Sequence, residues 1–289
     1  MSLQVLVSGI SIGCIYALLA LAIVLIYKST DIVNFAQGEM AMLCSFVALV
    51  FYQHVTSNIF LLVILSLLVG AVLGGLIERT VIRPLQNSPE LNSLIVTIGL
   101  WITIHYGAGW IWGFDAFTFP SITSQEPVLI GGASISLNSI TIILMSIILM
   151  VLLYIFLEHT KYGTAMRATS MNPEAAKLMG ISPGKISMIA WAIAAAIGAT
   201  AAVFIAPITF VDVNMMFEVL IKGLAGAVVG GFTSLPGAVV GGIMIGVIES
   251  FSSVYLSSVF SDSIAFVAIV VVLMLKPEGL FGKPAVKKV

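Results

Sequence analysis

Charged side chains are scarce in this sequence. They make up 9% of 289 residues, where a soluble domain carries roughly 25%. A water-soluble chain of this length needs far more charge to cover its surface, so a soluble all-helical core is excluded. Cysteine is almost missing: Cys14 and Cys44 lie in apolar stretches, with no histidine or cysteine cluster beside them. Neither a disulfide nor a metal site is expected. A net charge of −1 gives no footprint for nucleic acid or another polyanion. Ser11-Ile-Gly-Cys14 lacks the basic stretch and upstream leucine of a lipoprotein cleavage site, so no cleavable signal is expected. Catalytic patterns are lacking as well. Gly180-Ile-Ser-Pro-Gly-Lys185 misses the P-loop spacing, and Ile186 follows where Ser or Thr is required. With no nucleophile–base pair, the chain is not expected to be an enzyme or to hold a cofactor. Any energy-consuming step belongs to another chain.

What is present is hydrophobic length. Crossing a bilayer takes about 20 apolar residues, and 60% of this chain is hydrophobic. The clearest stretches are residues 5–27, 59–77, 93–112, 140–157 and 186–206; 217–232, 238–256 and the short 264–275 follow. Residues 35–52 are apolar after a polar start, and counting them gives nine crossings, or eight if they are re-entrant. Lys28, Arg79, Arg83, Lys161, Arg167, Lys177, Lys185, Lys276, Lys283, Lys287 and Lys288 all fall in alternate loops, with Lys222 the exception. Basic loops face the cytoplasm, which puts the N-terminus outside and a basic tail, residues 282–289, inside. Trp110 and Trp112, beside Phe114, Phe117 and Phe119, suit the outer headgroup level. The outer loop 113–138, with Pro120, Pro127, Asp115 and Glu126, is too short for a domain of its own. Capture of a solute outside therefore requires another protein. The expected fold is an all-α polytopic bundle of eight to nine transmembrane helices, forming one domain over residues 1–289. No tandem repeat is evident.

Polar groups within apolar stretches are costly and point to function. The strongest cluster is Lys28-Ser-Thr-Asp-Ile-Val-Asn-Phe-Ala-Gln-Gly-Glu39. Asn34, Gln37, Gly38 and Glu39 at a span entry suit a broken helix lining a cavity; they equally suit an ordinary wet cytoplasmic loop. A second region, residues 218–249, is rich in glycine. Gly226 with Gly230, Gly237 with Gly241, and Gly242 with Gly246 are small-xxx-small pairs that favour close helix packing, and Gly231 adjoins them. Ser234-Leu-Pro-Gly237 reads as a tight hairpin. Lys222 sits four residues after Glu218, placed for a pair on one helix face, and Glu249 is expected to be a buried, hydrogen-bonded carboxyl. Of the histidines, His54 and His159 lie at loop edges and only His105 lies within a span. That speaks against a chain of proton-relay residues.

The longest cytoplasmic connection, residues 160–185, carries a short helix signal. Asn172 is a good N-cap, Pro173 fits the first helical position, Glu174, Ala175, Ala176, Lys177, Leu178 and Met179 favour helix, and Gly180 stops it. Such a helix is too short to be stable alone in water. Its small and apolar side chains suit docking into a partner's groove.

At this point the motifs become specific. Arg167-Ala168 followed by Asn172-Pro-Glu-Ala-Ala-Lys-Leu-Met-Gly-Ile181 resembles the coupling loop of the branched-chain amino-acid (Liv-type) ABC permease family. Asn34-Phe-Ala-Gln-Gly-Glu39 is similar to that family's signature, with Gln37 where histidine is commoner. Glu78-Arg79, Arg83-Pro84-Leu85, Thr97-Ile-Gly99, the Val229-Gly-Gly stretch with its later glycines, and Lys276-Pro-Glu-Gly-Leu280 complete the resemblance over nearly the whole chain. It implies an importer subunit in the cytoplasmic membrane of a bacterium or archaeon. The implied partners are a homologous but different permease chain, two cytoplasmic ATPases carrying ATP and Mg, and an external solute-binding protein. Asn34, Gln37, Gly38, Glu39, Thr97 and Gly99 become pathway candidates; Arg167 and residues 172–181 become the coupling element. Relatives that carry urea or short-chain amides share these motifs, and an ATP-independent channel or carrier is the alternative from another class.

Overall fold

The computed structural model describes residues 2–85, 88–123, 127–130, 133–256 and 258–282. Glu126, Lys283, Lys287 and Lys288, and with them the expected basic tail beyond Gly282, lie outside the described residues. The helices in chain order are α1 (Ser2–Thr30), α2 (Gln37–His54), α3 (Ile59–Ile77), α4 (Glu90–Trp112), α5 (Leu137–His159), α6 (Lys161–Met171), α7 (Pro173–Leu178), α8 (Pro183–Thr209), α9 (Phe217–Gly230), α10 (Leu235–Tyr255) and α11 (Ser258–Leu275). Every apolar stretch read from the sequence lies on a helix over most of its length. Six helices (α1, α3 with its extension to Leu85, α4, α5, α8 and α10) are long and apolar enough to cross a membrane. The remaining apolar helices fall short of that standard: α9 has 14 residues, the apolar part of α11 runs over Ser263–Leu275, and α2 opens on polar residues.

Two features were not expected. Strands β1 (Pro127–Ile130) and β2 (Ala133–Ser136) pair antiparallel, a small addition to the expected all-α polytopic fold. Val128 and Ile135 face each other across the ladder, and β-branched residues of this kind fit a pleated surface. The second feature is α6, an extra helix in the connection 160–185. Thr160 starts it by accepting the Gly163 N–H at 3.2 Å, the side-chain cap that Thr offers a helix entry.

The chain divides into two compact units. One contains Met1–Val24, Thr123–Ser146 and Val219–Val289, the other Leu25–Ile122 and Ile147–Glu218. In the first, backbones touch where glycine removes the side chain. A Cβ on Gly242 would come within 2.5 Å of Ala17 Cα, and one on Gly13 within 2.8 Å of Ile243 Cα, so α1 and α10 lie in direct contact. Between α9 and α10, Gly226 meets Gly241 and Gly242, and Gly230 meets Gly237. Ser234 caps α10 by accepting the Gly237 N–H at 3.1 Å. Past α11, the turn after Lys276 returns to the end of α9. The Leu280 N–H donates to Val229 O at 2.8 Å and the Phe281 N–H to Gly230 O at 3.0 Å. These bonds satisfy carbonyls that a helix C-terminus otherwise leaves open. Gly231 and Gly279, at φ +103° and +79°, permit the approach.

In the second unit α8 is the centre. Ala190, Trp191, Ala194, Ala199, Ala201, Ala202 and Phe204 are fully buried, and α2 and α3 both pack on this helix. Gly70 lies against Ala195 and Gly74 against Trp191. By contrast, α4 and α5 leave most of their apolar residues exposed, whereas α8 is mostly buried. Ile95, Leu152 and, on α3, Leu68 and Val72 are exposed. Soluble proteins do not leave apolar surface of this extent in water; a bilayer covers it.

Gly242→Val therefore collides with the Ala17 backbone and is expected to abolish the folded monodisperse protein, since overpacking costs about 1–3 kcal/mol even where neighbours can move. Gly107→Ala, at a position with no atom within 4 Å of a new Cβ, is expected to stay folded and gain up to about 1 kcal/mol from helix propensity. Fluorescence-detected size exclusion and thermal unfolding of both variants in detergent check the pair.

Candidate functional site

The polar entry of α2 is buried: Asn34, Gln37 and Glu39 are 1%, 0% and 2% exposed. The wet-loop reading is thereby corrected for these residues, because each is packed and hydrogen-bonded within the protein. Asn34 Oδ1 accepts the Ala36 N–H at 3.0 Å, and its Nδ2 donates to Gln37 Oε1 at 3.2 Å. Gln37 Nε2 in turn donates to Ala194 O on α8 at 3.1 Å, in space kept open by Gly198. Gly38 is buried beside them. The amides thus bind the start of α2 to α8. Thr97 on α4 is fully buried; its hydroxyl donates to Leu94 O at 2.9 Å and approaches Val33 O at 3.4 Å. Gly99 does not join this group: a Cβ there would meet nothing within 4 Å.

Glu39 leads to a different set of residues. Trp101 Nε1–H donates to Glu39 Oε1 at 2.7 Å, and His105 Nδ1 lies 3.4 Å from Oε2. Trp101 and His105 stand four residues apart on α4 and so share a helix face. A cavity of about 360 Å³ opens on that face, lined by Trp101, Ile102, His105 and Tyr106 of α4 and by Asn214 and Phe217. The Trp101 and Phe217 rings stack with centroids 6.4 Å apart. The wall carrying Asn214 is shaped by local bonds: Phe210 turns the chain at φ +68°, Val211 and Phe117 exchange backbone bonds of 2.8 and 2.9 Å, and the Phe217 N–H donates to Asn214 O at 3.0 Å. The sequence reading noted His105 and Glu39 separately and missed Trp101, Tyr106, Asn214 and Phe217. The Trp101–His105 spacing was the signal that could have found the first of these.

The α6–α7 segment forms a separate feature. Arg167 donates to Leu157 O at 2.6 Å and lies 3.2 Å from Glu158, holding α6 to the end of α5. Asn172 Oδ1 accepts the Ala175 N–H at 3.0 Å and Pro173 opens α7. Gly180, at φ +81°, closes it, and the Ile181 N–H donates back to Ala176 O at 3.0 Å. Ala176 is buried, Glu174 and Lys177 pair on the surface at 2.8 Å, and Leu178 and Met179 are 90% and 82% exposed.

A family model described as the permease component of the branched-chain amino acid transport system matches residues 5–275. The chain belongs to that family. The permease resembles LivH of Escherichia coli, a high-affinity branched-chain amino acid transport system permease protein. The two are 31% identical over 301 residues, covering 99% of this chain and 97% of the relative. BraD of Pseudomonas aeruginosa, of the same description, is 30% identical over 300 residues, covering 99% and 98%. A probable branched-chain amino acid transport permease protein LivH of Methanocaldococcus jannaschii is 29% identical over 280 residues, covering 92% and 88%. No solved structure matches the chain. Family and apolar helices together make it a multi-pass transport permease of the cell inner membrane.

The permease also buries an ion pair that the sequence did not join. Lys222 Nζ on α9 lies 2.7 Å from Glu249 Oε1 on α10, with the lysine 6% exposed. These residues stand 27 apart, beyond any helical spacing rule, and only the α9–α10 hairpin brings them together. Removing one member of such a pair leaves an uncompensated charge at a cost of about 3–5 kcal/mol. Lys222→Met alone is expected to destabilise the permease by that order, and Lys222→Met with Glu249→Leu to recover most of the loss. Thermal unfolding of the two variants in detergent checks it; equal losses would mean the charges are not coupled.

Proposed function

We propose that the permease is a subunit of an ATP-driven ABC importer for leucine, isoleucine and valine. It forms the translocation pathway with a second, different permease chain. Two cytoplasmic ATPases, which carry ATP and Mg, power it, and an external solute-binding protein supplies the solute. The observation that carries this reading is the similarity to LivH and BraD across 97% and 98% of their own lengths. Eight or nine of the apolar helices cross the bilayer in this reading, eight if α2 is re-entrant, with the N-terminus outside and the C-terminus inside. The distribution of lysine and arginine supports that orientation.

On this orientation α7 faces the cytoplasm. Six residues of helix are too few to be stable alone, yet Leu178 and Met179 hold apolar side chains away from their own chain. An ATPase groove that accepts them supplies the missing contact and turns closure of the ATPase pair into movement of residues 172–181. Around the pathway, Asn34 and Gln37 act by fixing α2, while Glu39, Thr97 and Gly99 border the faces of α2 and α4 along which solute moves.

Radiolabelled leucine uptake into proteoliposomes holding all five components tests the proposal, with and without ATP. ATP-dependent uptake competed by isoleucine and valine is expected. Uptake of urea or an amide instead would change the substrate, and equal uptake without ATP would leave a channel or carrier. Leu178→Asp is expected to lower uptake at least about tenfold, the size of a buried interface anchor, with insertion unchanged. Wild-type uptake in that variant would remove α7 from the coupling role.

A further inference from the structure

We propose that the cavity on α4 is a recognition site for the ammonium group of a zwitterionic aliphatic amino acid, with His105 Nε2 as its hydrogen-bond acceptor and Glu39 as the residue that positions His105. The proposal deepens the importer reading and rests on it.

The geometry favours one polarity for His105. Glu39 Oε2 and His105 Nδ1 are both fully buried, and neither has a hydrogen-bond partner of good geometry among the described residues. They face one another at 3.4 Å. Glu39 Oε1 already accepts the Trp101 N–H, so the carboxylate acts as an acceptor on that side. A carboxylate facing Nδ1 favours the tautomer with the proton on Nδ1, as second-shell carboxylates do for other histidines. Nε2 is then an acceptor, and His105 is part of the cavity wall. An acceptor whose ring is oriented by a buried carboxyl group selects donors, cations above all.

The rest of the wall fits the same ligand. Trp101, Tyr106 and Phe217 present aromatic surface, which attracts a cation within about 6 Å of a ring centroid and otherwise covers an apolar side chain. Ile102 adds aliphatic surface, and Asn214 is a second polar lining group, with an amide N–H to offer a carboxylate. A cavity of about 360 Å³ is at the lower end of small-molecule sites and suits a solute of leucine's size. Urea or a neutral amide can donate to Nε2 but brings no positive charge to it, and so forms the weaker, neutral bond.

Three probes sharing one isobutyl group separate these contributions: L-leucine, leucinol, which lacks the carboxylate, and 4-methylpentanoate, which lacks the ammonium. Equilibrium binding of each to the full chain in lipid nanodiscs is the measurement. Leucine and leucinol are expected to bind at least about tenfold more tightly than 4-methylpentanoate, the effect of one charge-assisted bond. His105→Phe is expected to abolish that preference. Glu39→Gln is expected to reduce the preference in the same direction. Equal binding of all three by the unaltered chain, binding of none, or an undiminished preference in His105→Phe would overturn the site. A uniform loss of all three probes in both variants would also overturn it, assigning the pair to structure alone. If the assembled transporter still takes up leucine with ATP, such a result removes the site and leaves the importer. Absence of leucine uptake by the unaltered assembly removes the substrate class and the site together.

Discussion

In hydrocarbon, helices gain little by hiding leucine from lipid, so their association must come from close contact and from polar bonds between them. Here closeness is obtained by removing side chains. Gly242 admits Ala17, Gly13 admits Ile243, and Gly74 admits Trp191. Alanine does the same work along α8, whose buried face is largely methyl groups. These contacts let α8 be buried on most of its surface while α4 and α5 leave most of theirs exposed.

Polar placement follows from that arrangement. Because α8 presents small residues, its backbone carbonyls are reachable, and Gln37 takes one of them at Ala194. A larger residue at 198 would occupy the space of the Gln37 amide. The start of α2 is thereby held in register, and Glu39, two residues on, is held against Trp101 and His105. A carboxylate placed among apolar helices is costly unless charge or hydrogen bonds compensate it. The indole N–H bonds Oε1 here and the imidazole faces Oε2 at 3.4 Å, which ties the α4 cavity to the entry of α2 through one side chain.

The helical stretches were legible because hydrophobic length is a local signal, and α7 was legible because Asn172, Pro173 and Gly180 each act within one turn. What was not legible depends on tertiary proximity. Lys222 and Glu249 stand on different helices, and Trp101 is an ordinary aromatic until Glu39 is placed beside it. The amides of Asn34 and Gln37 read equally well as wet or buried, because their composition does not say which helix covers them. The hairpin β1–β2 was hidden by its length, since four-residue strands leave too short a pattern to distinguish from loop. The π-helical turn at Glu78–Ile82 was hidden because it is a matter of hydrogen-bond register, which the residue types there do not dictate.

That turn has a mechanical consequence. In a regular α-helix, residues five apart point about 140° away from each other; the wider turn brings Glu78 and Arg83 together. Arg83 donates to Glu78 Oε2 at 2.7 Å and to Gly184 O at 2.8 Å, with Glu78 fully buried. Arg83 therefore bonds both the end of α3 and the first turn of α8. Between α7 and α8 lie only residues 179–182, and the first of these are held by backbone bonds to α7. A short, bonded connection has little slack, so displacement of α7 reaches the start of α8 instead of being absorbed in a loop. The guanidinium then carries it to α3, and the close glycine–alanine contact between α3 and α8 resists their separation. On the proposed reading, force applied at Leu178 and Met179 moves α3 and α8 as one body, and α2 with them through Gln37. The carboxylate of Glu39 rides on that body, which makes the geometry of the α4 cavity depend on where α7 is held.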